Sequence, residues 1–307
     1  MKKVIIMGAN GFIGSHLAIM FLKENWDVYC LVQNKSKFEL DGSNIIEFEL
    51  NKLNELEGKL PNNADLFYNL AWIGVSSTYK NDFQIQSQNI AYSLEALKLA
   101  EKLKCSKVIY PGSVSEYAYA ETPVNGRNLP CPADMYSACK TSVHFICDLY
   151  SRQKNLEFLW VLIPSIYGPG REDNNIITYA IKTFLSNKKP SFTKLEQMWD
   201  YLYIDDLIAA LYLLGQQGIG GKTYVVGTGI SYPLSKYIEI IRDIINPSLP
   251  MGIGELPYKT TKVDNSIVDI TLLTEDTDYK PRYTFYQGIV NTIEYFKKNR
   301  IEGNKYD

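Results

Sequence analysis

The run Lys3-Val4-Ile5-Ile6-Met7-Gly8-Ala9-Asn10-Gly11-Phe12-Ile13-Gly14 joins an apolar strand to a helix through a turn with glycine at every third position. A short, continuous apolar run suits a strand buried on both faces. From Gly14 to Glu24 the period becomes helical, with Leu17, Met20 and Phe21 on one face. Glycines at 8, 11 and 14 meet three needs: a tight turn, close backbone approach to a diphosphate, and close helix–strand packing. The helix start behind them presents unpaired N–H groups and the positive end of the helix dipole. These residues predict a dinucleotide site built from Gly8, Asn10, Gly11, Phe12, Ile13 and Gly14. Lys2 and Lys3 before an apolar run resemble a secretion signal, but the run stops at Gly8 and reads better as a first strand.

Outward from that motif, further strands are expected at Val28–Val32, Ile45–Phe48, Leu66–Leu70, Lys107–Tyr110, Phe158–Ile163 and Lys222–Val226. Helical patterns occupy 82–103, 134–151, Ile176–Leu185, 206–214, 233–245 and 286–298; the fifth is capped by Ser231 or started by Pro233. A loose stretch is expected over 246–265 and a frayed tail from Arg300. Strands alternating with helices predict an α/β chain with a doubly wound parallel sheet, the Rossmann arrangement. The division expected is a dinucleotide-binding domain, 1–165 with 204–228, and a smaller substrate-binding cap from 166–203 and 229–307.

Composition narrows the class. The chain of 307 residues is 46% apolar and 21% charged, enough for a sizeable core. A net charge of −2 gives no electrostatic case for nucleic acid or an acidic membrane surface. No segment approaches the ~18 consecutive apolar residues of a membrane span. Cys30, Cys105, Cys131, Cys139 and Cys147 are odd in number and form no CxxC pair. They point to free thiols in a reducing compartment, the cytoplasm. With His16 and His144 the only histidines and no ligand cluster, no metal site is expected.

Dinucleotide choice is read at the end of the second strand, where a carboxylate would bind the ribose 2′-hydroxyl of NAD. Here Val32 is followed by Gln33, Asn34 and Lys35, with Lys37 nearby. The missing acid and the two lysines lean toward NADP(H), with NAD(H) as the alternative. Tyr136 and Lys140 stand four residues apart, hence side by side on a helix. A neighbouring ammonium favours the phenolate and would lower the tyrosine toward its working range. Ser113 follows the strand at 107–110, at the carboxyl edge where ligands of such sheets bind.

Taken in order, the glycine motif, Ser113, Tyr136 with Lys140, Ile166-Tyr167-Gly168-Pro169-Gly170 and Asp200-Tyr201-Leu202-Tyr203-Ile204-Asp205-Asp206 resemble the extended short-chain dehydrogenase/reductases, the NAD-dependent epimerase/dehydratase family. The resemblance implies that Ser113 polarises a substrate oxygen, Tyr136 is the acid/base, and Lys140 also holds the nicotinamide ribose. It implies that Leu70, Ala71 and Pro164 border the cofactor and that Asn89 supports the catalytic strand. Substrate contacts are expected from Val114, Ser115, Ser165, Arg171, Asn175 and Trp199. The C-terminal half, through Val226–Gly229, Gly252–Tyr258, Thr277–Pro281 and Gly288-Ile289, resembles 4-ketoreductases of deoxysugar pathways, of the abequose-synthase type.

Departures from the family sharpen the expectation. Dehydratases carry an Asp-Glu pair after the catalytic hydroxyl, where this chain has Val114 and Ser115; Glu116 reads as a solvated or loop-stabilising carboxylate. Family arginines are replaced by Leu162 and Trp199, leaving Arg171, Lys188, Lys189 or Lys194 for phosphate contacts. Trp199 is read equally as a core aromatic and as a stacking residue, and Asp205 or Asp206 as a helix cap. The function expected is reduction of an NDP-4-keto-6-deoxyhexose, with an NAD-dependent nucleotide-sugar 4-epimerase as alternative and a non-catalytic dinucleotide sensor as a remote one. The helices at 82–103 and 134–151 resemble those that pair in family homodimers.

Overall fold

The computed structural model describes residues 1–76, 78–258 and 267–302, with 300–302 by backbone alone. Along the chain run β1 (Lys3–Met7), α1 (Phe12–Lys23), β2 (Asp27–Val32), β3 (Asn44–Glu47), β4 (Leu66–Asn69), α2 (Phe83–Lys102), β5 (Lys107–Ser113), α3 (Met135–Lys154) and β6 (Glu157–Ile163). There follow β7 (Ser165–Tyr167), α4 (Ile176–Leu185), β8 (Met198–Trp199), β9 (Tyr201–Tyr203), α5 (Ile204–Gln217), β10 (Thr223–Val225), β11 (Tyr232–Pro233), α6 (Leu234–Ile245), α7 (Thr271–Thr277) and α8 (Phe285–Glu302).

Seven strands form one parallel sheet in the order β10-β6-β5-β4-β1-β2-β3. The order reverses between β1 and β4, and a ligand crevice opens at such a switch point beyond the carboxyl ends. The apolar run of β1 serves both faces: Val4 and Ile6 enter the core under α1 and α5, Ile5 and Met7 the core under α2 and α3. The predicted α/β doubly wound class is therefore the fold observed.

Differences from the expected elements have local causes. β5 runs three residues past Tyr110, through Pro111, to end on Ser113. Its pairing with β4 stops at Ile109, so Pro111 faces only β6 and its missing N–H breaks no ladder on the other side. The helix expected from Pro233 starts at Leu234; Pro233 is its N-cap, and neither it nor Ser231 supplies a side-chain cap. Neither Asp205 nor Asp206 caps α5. Asp206 instead accepts from Arg282 N (2.9 Å) and Tyr283 N (3.0 Å), tying α5 to the approach of α8. The stretch after α6 is irregular up to Tyr258, and 259–266 lie outside the described residues. α8 runs on through Arg300 to Glu302, and 303–307 lie outside the described residues.

His144 on α3 stacks on Trp160 of β6, with ring centres 4.8 Å apart and planes within 4°. Its Nε2 meets Thr223 Oγ1 at 3.1 Å, and burial lowers its pKa to about 4. The folded state thus disfavours the charged ring, so this contribution is complete above the unfolded pKa near 6.5 and is lost as pH falls toward 4. The loss approaches roughly 3 kcal/mol. Urea midpoints at pH 7 and pH 5 for the wild type and His144→Gln check this: the gap between them should shrink at pH 5, and an equal gap would acquit the histidine.

Candidate active site

The β1–α1 turn is built by what glycine lacks. Gly8 adopts φ +86°, and a Cβ there would stand 2.9 Å from Ala71 N, in the loop after β4. A Cβ on Gly14 would stand 2.2 Å from Gly8 O. Gly11 is the N-cap of α1 and brings no side-chain cap, so the first-turn amides face the crevice bare. Asn10 is exposed, while Phe12 and Ile13 pack against the core. The turn fits a dinucleotide: its cradle is one that any Cβ would fill, closed by backbone from both sides of the switch point.

Around it, Asn89 is buried and clamps the loop after β4, accepting from Ile73 N (2.8 Å) and donating to Ile73 O (3.0 Å). It thus fixes the wall beside Leu70 and Ala71, rather than the strand bearing Ser113. Pro164 is buried between β6 and β7. At the end of β2, Gln33 is exposed and the Asn34 side chain accepts from Ser36 N (3.0 Å). Lys35 donates its backbone N–H to Glu47 Oε2 at 3.1 Å. A carboxylate from β3 therefore holds the backbone of this turn.

Ser113 ends β5 and begins a 3₁₀ turn, Val114–Tyr117. Its Oγ lies 2.7 Å from Ser115 Oγ. Tyr136 and Lys140 project from the first turns of α3, which Asp134 caps by accepting from Ser137 N at 2.8 Å. Tyr136 N donates to Lys80 O (2.8 Å), and its ring meets Trp72 edge-on at 5.7 Å. Lys140 is buried; its Nζ donates to Pro111 O (2.8 Å) and sits 3.9 Å from the Trp72 ring centre. Gln86 pins that indole, accepting from Trp72 Nε1 at 3.0 Å.

The expected lowering of the tyrosine by its lysine is not what the arrangement does. Lys140 Nζ stands 6.0 Å from the Tyr136 ring centre, committed to Pro111 and Trp72. Burial, seconded by the Glu116 carboxylate, pushes the phenol well above its ordinary value, against the Ser113 hydroxyl beside it. Tyr136 is thereby held protonated. Glu116 is not solvated: it is fully buried and closes a capping box on Ser113, which leaves its loop-stabilising role standing.

The expected substrate residues divide. Ser115 is half-buried beside Ser113, and Ser165 half-buried in β7. Val114 is only 5% exposed and packs into the core under α3, because the turn points it inward. The Arg171 guanidinium is engaged by Asp173 (2.7 and 3.0 Å) and by the carbonyl of Ile166. Asn175 caps α4, accepting from Ile177 N (3.0 Å) and Thr178 N (3.1 Å). Trp199 pairs with Tyr232 across β8 and β11, and its buried Nε1 has no hydrogen-bond partner. Lys189 pairs with Glu255. Sequence reasoning missed Gln86 and the burial of Glu116, since both depend on what the fold brings over them.

An open dinucleotide turn at the switch point, with hydroxyl, phenol and ammonium gathered at the carboxyl end of β5, two strands away, defines the extended short-chain dehydrogenase/reductase class of enzymes. The chain belongs to the NAD dependent epimerase/dehydratase family, whose model matches residues 4–227. It is 24% identical over 287 residues to a CDP-abequose synthase of Salmonella muenchen, covering 89% of this chain and 91% of that one. To a UDP-glucose 4-epimerase of Mycolicibacterium smegmatis it is 22% identical, covering 96% and 98%. Similarity to a dTDP-D-glucose 4,6-dehydratase of Dictyostelium discoideum (26%) covers 81% of this chain and 62% of that protein. The fold is shared with a UDP-glucuronic acid 4-epimerase from Bacillus cereus solved with UDP-glucuronic acid and NAD: TM-score 0.86, 23% identity, 97% and 99% coverage. Among the described residues no helix is long and apolar enough to cross a membrane, and no group of three His, Cys, Asp or Glu gathers to hold a metal ion.

Proposed function

We propose that this enzyme reduces the 4-keto group of a nucleotide-activated 6-deoxyhexose, with Ser113, Tyr136 and Lys140 as its centre. The observation that carries the reading is their convergence where α3 packs on the end of β5, on the same sheet as the glycine turn after β1, with Tyr136 held protonated. Bound along Gly8–Gly14, Leu70, Ala71 and Lys140, the dinucleotide supplies hydride. Ser113 donates a hydrogen bond to the substrate oxygen, and Tyr136 gives up its proton to that oxygen as negative charge develops. With Val114 and Ser115 after Ser113, no acidic pair serves water elimination, which speaks against a dehydratase. Two CDP-abequose synthases among the similar proteins support the reductase. Gln33, Asn34, Lys35 and Lys37 after β2 support NADP(H) as its cofactor.

A second reading, a 4-epimerase retaining NAD, draws on Glu47. Its carboxylate beside Lys35 would repel a 2′-phosphate, and the fold neighbour from Bacillus cereus was solved with NAD. In either reading 1–165 and 204–228 hold the dinucleotide, while 166–203 and 229–307 form the cap over the sugar nucleotide. Phe145, Ile146 and Leu149 on α3 and Phe83 on the packed α2 expose apolar side chains, which supports a homodimer through these helices. Four buried free thiols and a fifth exposed one support a reducing, cytoplasmic setting.

Native mass spectrometry, with NADPH and NADH titrations, tests the reading. Expected is twice the chain mass, no retained dinucleotide, and tighter binding of NADPH. One NAD retained per chain would transfer the assignment to the epimerase, and a chain that binds neither coenzyme would sink both.

A further inference from the structure

Glu116 occupies a place where an acid is costly. It is fully buried on the turn after β5, between the core residues Val114 and Tyr117. Its Oε1 accepts from Ser113 N at 2.7 Å, and the buried carboxyl also faces the Trp160 indole N–H and the Thr141 hydroxyl, both of which favour its charged form. Neither Oε2 nor the Trp160 indole nitrogen has a well-formed hydrogen bond elsewhere, so these two buried groups are left to each other. Gly112 makes this crowding feasible: a Cβ there would stand 2.2 Å from Trp160 Nε1 and 2.7 Å from Glu116 Oε1. Three elements thus leave room for one carboxylate: Gly112 of β5, Trp160 of β6 and the turn itself.

A buried ion persists only with a compensating charge. Lys140 is the buried cation at hand, with Nζ 6.0 Å from the Trp160 ring centre and 5% exposure overall. Burial pushes the carboxyl up and the ammonium down, and each opposes the shift of the other. The same carboxylate raises Tyr136. Other titratable groups near the pair are Tyr117 on its own turn and His144 one turn along α3, held neutral; Asp134 and Arg171 act on Tyr136, and Lys80 lies over its ring.

We propose that Glu116 is a positioning residue of this centre, the buried counter-charge that keeps Lys140 an ammonium and Tyr136 a phenol while fixing the Ser113 backbone. The proposal rests on the reading of Ser113, Tyr136 and Lys140 given above. It makes the centre a group of four whose fourth member touches no substrate and acts through the other three.

The test uses the full chain with carbon-13 at lysine Cε, titrated by NMR; the resonance missing from Lys140→Met identifies Lys140. In Glu116→Gln, which keeps an acceptor for Ser113 N, the Lys140 midpoint should fall by about one pH unit or more. Glu116→Asp should restore part of the fall. An unchanged midpoint in Glu116→Gln would overturn the proposal. Should that variant not fold, carbon-13 at glutamate Cδ serves, with Glu116 identified through Glu116→Asp. Its carboxyl should titrate above the other glutamates and rise further in Lys140→Met; titration among the surface glutamates would overturn the proposal. Failure of the catalytic reading shows separately, as Tyr136→Phe that turns over normally.

Discussion

Tyr136→Phe is expected to lower turnover by about two to four orders of magnitude while leaving the fold and coenzyme binding in place. Phenylalanine keeps the ring that meets Trp72 at 5.7 Å and lies near Lys140, so the packing of α3 against the loop after β4 survives. Only the hydroxyl is removed, and with it the proton and the contact with Ser113. Because burial keeps the phenol protonated through neutral pH, the wild type should reduce well there and fail only in alkali, as the donor ionises. The check is kcat on a panel of 4-keto nucleotide sugars, beside coenzyme titrations of both proteins. Equal kcat would mean that another group, or water, supplies the proton.

Asp200→Ala is expected to cost about 3 to 5 kcal/mol, among the largest effects of any single substitution here. Asp200 is fully buried between β8 and β9. It accepts from Thr228 N (2.9 Å), Gly229 N (2.9 Å) and Thr228 Oγ1 (2.8 Å), all from the loop leaving β10. Alanine would strand two backbone N–H groups together and release the loop that leads into β11. For a chain of this size the melting temperature should drop by roughly 10 °C, with Asp200→Asn in between because one acceptor remains. Thermal unfolding followed by fluorescence decides it; a drop under about 2 °C would mean that water replaces the carboxylate without cost.

Much of the architecture was legible because it is written locally. The strand–glycine–helix run carries its own geometry: positive φ at Gly8 and the absent Cβ of Gly14 are properties of those residues wherever the turn forms. Tyr136 and Lys140 share a helix face through spacing alone. Element ends were less legible, since Pro111 looks like a strand stop until pairing shows one of its sides free. The small pairs β7 with β9 and β8 with β11 went unseen, being two- and three-residue strands that exist only through their partners. The expectation that Asn89 supports the catalytic strand misses its target, because its hydrogen bonds run to a loop sixteen residues earlier.

By itself the sequence determined the class of fold, the coenzyme turn and the order of hydroxyl, phenol and ammonium, all set by residue type and short-range spacing. The tertiary structure alone decided their charge states. Whether an acid such as Glu116 is solvated, or a tyrosine lowered by its lysine, depends on the burial and neighbours that distant segments impose. Trp72 from the loop after β4, Trp160 from within β6 and Gly112 from β5 are far apart in sequence, and only folding brings them around Lys140 and Glu116. Desolvation acts on that assembled surrounding, and no window of sequence contains it.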